Sequence, residues 1–297
     1  MVKSPPSSAR RERACAKINL GLKVLRRRPD GYHEICSIAQ CVDLADTLHF
    51  LPAEQHGFSC SDPALPAGPD NLVWRARDLF AARCPRPVQP FHIHLEKNIP
   101  AAAGLGGGSA DAAAALRALN ALHEHAFERA ALEQMAAELG SDVPFLIAGG
   151  TALMRGRGEV LEPLQWRGEV WYTLVFPGIE VSTAWAYGQV RPALTAPSSY
   201  LSFIDSLSGG CVDGNALFPV LENDFQSPVE RAYPSVAYMG SYFDAAGALA
   251  HSMSGSGSTV YGIFDDRNAA HQAQCGLEAK GYRSFLCRPV WRPFDQI

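Results

Sequence analysis

A glycine-rich segment at residues 104–109 constrains this chain more than any other feature. It reads GLGGGS and lies directly between a strand-like sequence, residues 91–95, and an alanine-rich stretch that is typical of a helix. Because glycine has no Cβ, a ligand can approach the backbone, and the N–H groups at a helix start attract an anion such as phosphate. We expect Ser109 to cap this helix and Asp111 to lie in its first turn. The segment predicts an anion-binding turn, and a flexible linker is the alternative interpretation.

The commonest phosphate-binding motifs do not fit this segment. No Lys follows the glycines as in a Walker loop, and Ser109 stands where the dinucleotide-binding fingerprint has Gly or Ala. The catalytic sequences of protein kinases are also missing. A second run of small residues, SMSGSGS at residues 252–258, precedes the strand-like sequence TVYGIF. This run is either a turn or a second loop that contacts a ligand.

Length and composition predict a two-domain globular protein. The chain has 297 residues, which is twice the ~150 residues usual for one domain. Its hydrophobic fraction of 47% and charged fraction of 19% are those of a folded chain rather than a disordered or fibrous one. We predict a disordered basic tail at residues 1–13, an N-terminal domain at 14–160 and a C-terminal domain at 161–297.

The charge balance and the cysteines bear on partners and location. With 26 Lys and Arg against 30 Asp and Glu, the net charge of −4 provides no broad positive field for nucleic acid or an acidic membrane. The apolar stretches are broken before the ~20 residues that a bilayer span requires. The eight cysteines form no Cys-x-x-Cys pair, which favours reduced thiols. We therefore expect a cytoplasmic protein that binds neither nucleic acid nor membrane.

Hydrophobic periodicity predicts strands and helices along the whole chain. Strands are expected at residues 14–25, 38–51, 91–95, 151–164, 170–176, 259–264 and 282–290. Helices are expected at residues 70–82, 129–139, 183–190, 216–221, 227–232, 235–249 and 267–280, with a short one starting at residues 141–144. Turn sequences at residues 29–31 and 155–158 predict two hairpins, and residues 193–214 are expected to be a loose connection.

Two charged residues stand out against this pattern. Lys17 lies on an apolar strand, on the same face as Asn19 and opposite Ile18 and Leu20. A polar strand face suits a ligand, although a solvated side of an amphipathic strand is the plainer interpretation. Asp142 opens a short helix, where a carboxylate also stabilises the helix dipole.

Four motifs together resemble a known enzyme family. They are AKINLGLKVLRRRPDGYHE, PAAAGLGGGSADAAA, LGSDVPF and SGSGSTVYGIF, and they follow the order and spacing of the small-molecule kinases that include galactokinase, homoserine kinase and mevalonate kinase. The resemblance covers nearly the whole chain. It implies an α+β fold, with an N-terminal ribosomal-S5-like domain that binds ATP, a C-terminal ferredoxin-like domain, and the active site in the cleft between them. AKINL with DGYHE points to the branch that phosphorylates a hydroxyl of a cytidine-diphosphate-linked methylerythritol in the methylerythritol phosphate route to isoprenoid precursors.

The resemblance also implies cofactors and roles for individual residues. The expected cofactors are ATP and Mg²⁺, and the expected partner is a small-molecule substrate that carries a cytidine diphosphate group. Asp142 is the expected catalytic base and Lys17 the cation that acts with it. The implied nucleotide-binding residues are Asn71, Lys97, Pro100, Gly104, Leu105, Gly106, Gly107, Gly108 and Ser109, and Ser109 is also expected near Mg²⁺. The implied substrate-binding residues are Asn19, Tyr32, His33, Thr183 and Tyr187.

Elementary chemistry supports some of these roles independently. An alcohol must lose its proton as the phosphoryl group arrives, and a carboxylate within hydrogen-bond reach can accept that proton. A lysine beside the carboxylate would keep it ionised and offset the charge of the transferred oxygens. Tyr32 and His33 follow a tight turn that can present a ring and a donor to a pyrimidine, while packing within the hairpin is the alternative for Tyr32. We interpret Arg26, Arg27 and Arg28 as a solvated rim outside the site.

Other functions remain open on the sequence. A different kinase of the same family, acting on homoserine, mevalonate or a sugar, is the first alternative. A non-catalytic nucleotide-binding protein and an RNA-binding relative of the ribosomal domain are the others. Tyr187 departs from the plain aromatic ring expected at its position, and the alignment through residues 183–187 is loose.

Overall fold

The computed structural model describes residues 10–191, 198–207, 210–291 and 294. The chain forms two compact units, and each is assembled from separate stretches. Unit 1 contains the described residues up to Ala16, together with Leu44–Ala101 and Gly106–Ala148. Unit 2 contains Lys17–Asp43, Ala102–Leu105 and the described residues from Gly149 onward.

The described residues contain strands and helices in a mixed order. The strands are β1 (Arg10–Arg27), β2 (His33–Pro52), β3 (Gly57–Cys60), β4 (Phe91–Glu96), β5 (Thr151–Arg155), β6 (Val160–Arg167), β7 (Trp171–Phe176), β8 (Cys211–Asp213), β9 (Ala250–Met253), β10 (Val260–Phe264) and β11 (Arg283–Cys287). The helices are α1 (Leu72–Arg83), α2 (Gly107–Leu122), α3 (Arg129–Leu139), α4 (Val143–Ala148), α5 (Thr183–Gln189), α6 (Ser199–Ser206), α7 (Gly214–Leu217), α8 (Gln226–Ala232), α9 (Pro234–Ala245) and α10 (Arg267–Glu278), with a 3₁₀ turn at Phe218–Val220.

Unit 1 packs four helices with a small sheet. The C-terminal half of β2 pairs antiparallel with β4, which pairs in parallel with β3. Alternate residues of β4, beginning at Phe91, are buried, as the alternation of its sequence predicts. Helix α2 packs against α1, α3 and α4. All of its alanines except the half-buried Ala121 are buried, because small side chains allow helices to approach closely. These contacts fix the start of α2, where the glycine-rich segment ends.

Unit 2 contains a four-stranded antiparallel sheet in the order β11-β7-β10-β9. Helices α9 and α10 pack on this sheet. In chain order these strands give the order 4-1-3-2, and with their connecting helices they form the ferredoxin-like pattern that the family resemblance implied. The core of unit 2 is apolar and includes Val175, Phe225, Met239, Phe243 and Phe264. The same unit holds the N-terminal half of β2, paired with β5, and the β5–β6 hairpin through Gly156 and Gly158.

Most of the predicted elements are confirmed, and several were missed. Helix α3 has the predicted bounds, since Gly140 ends it as expected. Strands β3 and β9 were not predicted, and the stretch expected to be loose contains helix α6 and strand β8. The predicted tail is wrong for residues 10–13, because β1 begins at Arg10; residues 1–9 of that tail lie outside the described residues.

The predicted capping of α2 is wrong. Its N-cap is Gly106, which has a left-handed φ of 69°, and the helix begins at Gly107. Ser109 is therefore inside the first turn and caps nothing, and no acidic residue lies in that turn. The glycines extend the helix toward the N-terminus, so that it begins before Ser109. Asp111 therefore lies one turn further into the helix than expected.

Two further features are the state of the cysteines and the apolar character of the helices. None of the eight cysteines, all of which lie among the described residues, is part of a disulfide, and Cys15, Cys36, Cys41 and Cys287 are buried. Within the described residues, no helix combines the length and apolar character that crossing a membrane requires.

Candidate active site

The first half of the glycine-rich segment packs tightly within unit 2. Gly104 has a φ of 78°, and a Cβ placed on it would lie 2.3 Å from the carbonyl oxygen of Ser254 and 2.9 Å from that of Gly257. The Ser254 hydroxyl donates to the Gly104 carbonyl at 2.9 Å. The segment SMSGSGS is thus the second loop at this place, which the sequence left open as a turn. Only glycine fits position 104, because both its backbone conformation and its space exclude a side chain.

This packing predicts a sharp difference between two glycines of the same segment. Gly104→Ala would place a methyl group against two backbone carbonyls, whereas the Cβ of Gly108→Ala would meet only Leu72 Cδ1 at 3.5 Å, an ordinary contact. We expect Gly104→Ala to lower the free energy of unfolding by more than ~1 kcal/mol relative to Gly108→Ala, since a backbone clash and a strained φ each cost ~1–3 kcal/mol in the folded state. Urea unfolding of both variants measures the effect. Equal stabilities for Gly104→Ala and Gly108→Ala would contradict the packing argument.

The second half of the segment faces the start of helix α4 within unit 1. Among the described residues, no side chain caps the first turn of α2. The hydroxyl oxygen of Ser109 lies 3.9 Å from the position that a Cβ of Gly140 would occupy. Asp142 follows two residues later, is half-buried, and accepts a hydrogen bond from the Leu146 N–H through its carbonyl at 3.2 Å. A hydroxyl and a turn that carries a carboxylate therefore stand near an uncapped helix N-terminus, which attracts anions.

Lys17 and Asn19 form one buried polar group in unit 2, as their shared strand face predicted. The Lys17 ammonium donates to Asn19 Oδ1 at 2.8 Å, and Asn19 Nδ2 donates to the Ser37 hydroxyl at 2.8 Å. The backbone N–H of Lys17 donates to the Leu105 carbonyl at 3.0 Å. Both side chains are buried, at 6% and 2% exposure, so the solvated interpretation of this strand face is wrong. The strand that carries Lys17 is thereby attached to the glycine-rich segment.

Lys97 lies in a buried cluster of charges in unit 1. Its ammonium contacts Asp46 Oδ2 and donates to Asp111 Oδ2 at 2.9 Å. Asp46 Oδ1 also accepts the backbone N–H groups of Asn98 and Ile99, at 2.5 and 2.8 Å. The cluster adjoins the start of α2, because Lys97 Nζ lies 3.0 Å from the position of a Cβ on Gly107.

The charges of this cluster follow from its burial. Burial raises the pKa of Asp111 to about 8, even though the Lys97 ammonium opposes this change. Burial lowers the pKa of Lys97, but the carboxylates of Asp111 and Asp46 outweigh it and raise that pKa above its ordinary value. Asp111 Oδ1 is buried and has no hydrogen-bond partner among the described residues, which a neutral acid tolerates better than a carboxylate. Burial thus favours the protonated form of Asp111 beside the Lys97 ammonium.

Two further residues expected at the nucleotide, Asn71 and Pro100, are buried. Asn71 caps α1, since its Oδ1 accepts the Val73 N–H at 2.9 Å and its Nδ2 donates to the Pro66 carbonyl at 2.9 Å. Pro100 is also buried, and in the sequence it stands between Lys97 and the glycine-rich segment. Both lie in unit 1 with Ser109. Their contact with a nucleotide stays a prediction.

Two of the residues expected at the cytidine group contact each other within unit 2. The rings of His33 and Tyr187 stack, with centroids 4.8 Å apart and planes inclined by 21°. Burial, and secondarily the charge of Arg27, lowers the pKa of His33, so its imidazole is neutral near pH 7. The Thr183 hydroxyl lies 3.1 Å from that of Ser256. The loosely aligned segment at residues 183–187 therefore reaches both His33 and the second loop.

Tyr32, Arg26 and Arg27 of the hairpin are exposed, and Arg28 is half-buried. Tyr32 is 55% exposed, and the Arg157 guanidinium lies 4.7 Å from its ring centroid. An exposed ring does not support the alternative in which Tyr32 packs inside the hairpin. Arg26 pairs with Glu34 at 2.5 Å and Arg28 with Asp30 at 3.1 Å.

Several polar residues at these places were missed by sequence reasoning. They are Ser37, Asp46, Asn223, Ser254 and Ser256. Ser254 and Ser256 lie in a run of small residues that was recognised but not assigned. The others had no local signal, because a single Ser, Asp or Asn inside a strand or loop is common. Only the fold brings each of them to its hydrogen-bond partners.

Comparisons with known proteins identify the family to which this fold belongs. Residues 71–150 match the GHMP kinases N terminal domain, and residues 213–283 match the GHMP kinases C terminal domain. A solved homoserine kinase from Cytophaga hutchinsonii shares the fold, with a TM-score of 0.72 at 20% identity over 98% of this chain and 97% of that chain. The class defined by fold and site is that of the GHMP kinases.

More similar relatives narrow this class. A 4-diphosphocytidyl-2-C-methyl-D-erythritol kinase of Gloeobacter violaceus is 40% identical over 94% of this chain and 93% of its own length. One from Salinibacter ruber is 40% identical over 92% and 96%. A solved 4-(cytidine 5'-diphospho)-2C-methyl-D-erythritol kinase has a TM-score of 0.78 at 34% identity, covering 94% of this chain and 99% of that chain. The chain therefore belongs to the GHMP kinase family, in the group of 4-diphosphocytidyl-2-C-methyl-D-erythritol kinases.

Proposed function

We propose that this enzyme transfers the γ-phosphoryl group of ATP to the 2-hydroxyl of 4-diphosphocytidyl-2-C-methyl-D-erythritol, a step of the methylerythritol phosphate route to isoprenoid precursors. One observation carries the choice of substrate. Relatives named for this kinase match over nearly the full length of both chains at 40% identity. The solved homoserine and mevalonate kinases share only the fold, at 20% and 16% identity.

The glycine-rich segment is the proposed site for the ATP phosphates. Helix α2 is 16 residues long, and in the described part of the chain no side chain caps the N–H groups of its first turn. Such a turn stabilises negative charge through hydrogen bonds and the helix dipole. Gly106, Gly107 and Gly108 leave its backbone open to a phosphate group.

The residues at this turn fit a magnesium ion that reaches the protein with the nucleotide. Mg²⁺ is commonly held by one or two protein oxygens together with substrate phosphates and water. Ser109 offers a hydroxyl there, and the described parts of the chain contain no cluster of three or more His, Cys, Asp or Glu side chains that would hold a metal alone. We propose that Ser109 contributes one oxygen ligand. Bound there, the ion would neutralise charge on the phosphate oxygens.

Asp142 is the proposed proton acceptor. As the new bond forms between the substrate oxygen and the γ-phosphorus, and the bond from that phosphorus to ADP breaks, the hydroxyl proton must leave. A half-buried carboxylate at the start of α4 is suited to take it. The Lys17 ammonium, held by Asn19 at 2.8 Å, is proposed to balance negative charge on the transferred oxygens.

The substrate's pyrimidine is proposed to bind against Tyr187. Its ring already stacks on His33 and contacts Phe225 edge-on, with centroids 4.8 Å apart in each pair. Asn19, Tyr32 and Thr183 are the other residues that we propose for this substrate.

This proposal predicts different KM values for two substitutions of Tyr187. Tyr187→Ala should raise the KM for the cytidine substrate by ~10-fold, because stacking of one base on an aromatic ring contributes ~1–3 kcal/mol. Tyr187→Phe keeps the ring, so its KM should stay within ~3-fold of wild type. Steady-state kinetics with ATP held at saturation measures both. Equal KM values for the two variants would exclude stacking on this ring.

One assay tests the proposed function and separates it from its alternatives. The purified chain is mixed with ATP, Mg²⁺ and 4-diphosphocytidyl-2-C-methyl-D-erythritol, and ADP release is followed. Homoserine, mevalonate and galactose serve as control acceptors. Release with the cytidine substrate alone supports the proposal, whereas equal turnover on a control acceptor contradicts it. Nucleotide binding without turnover of any acceptor would indicate a non-catalytic protein.

Two expectations from the sequence remain predictions. We expect no binding to nucleic acid, because the net charge is −4 and no basic surface was expected from the sequence. We also expect the enzyme to act in the cytoplasm, where its thiols would stay reduced.

A further inference from the structure

A short segment that the mechanism does not use, residues 222–226, is fixed against strand β1 in unit 2. Leu22 N–H donates to the Glu222 carbonyl at 2.7 Å, and Asp224 N–H donates to the Leu22 carbonyl at 3.0 Å. Lys23 adds ion pairs to Asp224 and Glu222, at 2.6 and 3.1 Å. The residue between these two anchors, Asn223, therefore has a defined position.

The side chain of Asn223 makes three hydrogen bonds, all of them to backbone groups. Its Nδ2 donates to the carbonyls of Met253 and Gly255, at 2.6 and 2.9 Å. Its Oδ1 accepts the Phe225 N–H at 2.9 Å. The residue is only 9% exposed, so water cannot easily replace these bonds. Among side chains of this length, only the amide of asparagine offers two donors together with an acceptor.

The two carbonyls that Asn223 holds flank Ser254, which contacts the glycine-rich segment. The Ser254 hydroxyl donates to Gly104 at 2.9 Å, and Thr259 N–H donates to the Ala103 carbonyl at 3.2 Å. Gly255 and Gly257 have positive φ values of 56° and 91°. Glycine adopts positive and negative φ about equally readily, so its intrinsic preference does not fix the conformation of this loop. A loop of this composition needs an external contact to fix it.

We propose that Asn223 is a positioning residue for the nucleotide phosphates. It fixes the backbone around Ser254, Ser254 fixes Gly104, and Gly104 leads through Leu105 into the uncapped start of α2. Asn223 does not touch the phosphates itself. This inference rests on the proposed function, because it assumes that residues 104–109 bind ATP.

The test compares Asn223→Asp and Asn223→Ala with wild type by calorimetric titration of ADP. Aspartate keeps the acceptor for Phe225 but loses both donors, and alanine loses all three bonds. We expect both variants to bind ADP at least ~10-fold more weakly, a loss of ~1.4 kcal/mol. Asn215→Asp is the matched control, since Asn215 is exposed and lies on the neighbouring helix α7. ADP affinity of Asn223→Asp within ~2-fold of wild type, judged against the ~10-fold expected, would overturn the proposal.

Two further measurements separate positioning from a merely structural role. A structural role lowers the melting temperature and the active fraction but leaves the KM for ATP unchanged, whereas positioning raises that KM more than the KM for the cytidine substrate. An unchanged KM for ATP in active Asn223→Asp would therefore also overturn the proposal. If neither variant folds, hydrogen exchange on wild type decides. ADP should slow exchange at residues 252–259 as well as at 104–109, and no slowing at 252–259 would contradict the inference. Absence of ADP binding to wild type would instead contradict the proposed function.

Discussion

Asp142→Asn lowers kcat by at least ~100-fold, the size expected for removing a general base. An amide cannot accept the hydroxyl proton, yet it matches the carboxylate in shape, so the variant should fold as wild type does. ADP release at saturating ATP and cytidine substrate measures kcat. Calorimetric titration of ADP should give an affinity close to that of wild type, because proton transfer occurs only during the reaction.

The neighbouring Ser141 offers a matched control. It is half-buried like Asp142 and lies in the same turn before α4. Ser141→Ala should keep kcat within ~5-fold of wild type, since it carries no proton-accepting group. A kcat of Asp142→Asn close to that of Ser141→Ala would dismiss Asp142 as the proton acceptor, whatever its position in the fold.

Lys97→Met lowers the free energy of unfolding by ~3–5 kcal/mol, because it leaves a buried carboxylate without its counter-charge. Lys97 is 5% exposed by its side chain, and Asp46 and Asp111 are at 0% and 4%. That loss is a large part of the ~5–15 kcal/mol by which proteins of this kind are stable. Urea unfolding at pH 7, followed by circular dichroism, measures it.

Two controls isolate the buried charge. Lys280→Met removes the same charge from an exposed position and should change stability by less than ~0.5 kcal/mol. Adding Asp46→Asn to Lys97→Met removes the orphaned carboxylate and should restore at least ~1 kcal/mol, since contacting residues do not act additively. A Lys97→Met variant as stable as the Lys280→Met control would show that the cluster contributes nothing to stability.

Local sequence signals predicted much of the fold. Helix α3 was predicted with its bounds because Gly140 follows an amphipathic pattern, and β4 because Phe91 begins a strict alternation. The shared strand face of Lys17 and Asn19 was also predicted, and their side chains do contact each other. Each of these signals depends on residues that are close in the sequence, within about one or two helical turns or strand repeats.

The rest depended on contacts that no local pattern encodes. The start of α2 was misplaced, because three glycines in a row adopt left-handed and right-handed backbone conformations about equally readily and so give no local signal for the N-cap. The buried partners of Lys97 lie 51 and 14 residues away along the chain. Asn223 and its loop are separated by 30 residues or more. Motif order indicated the family and its candidate residues, but not these supporting contacts. The predicted boundary near residue 160 falls between the two regions matched to the family and stays a prediction.

The discontinuous make-up of the two units limits how this enzyme can be recombined with its relatives. The chain passes from one unit to the other after Ala16, Asp43, Ala101, Leu105 and Ala148. A chimera with a single crossover near residue 148 would take β2 from one parent and its partner β5 from the other, although Ile38 pairs with Leu153 in one ladder. Functional hybrids should therefore require several exchanged blocks that follow these junctions, rather than a simple swap of halves.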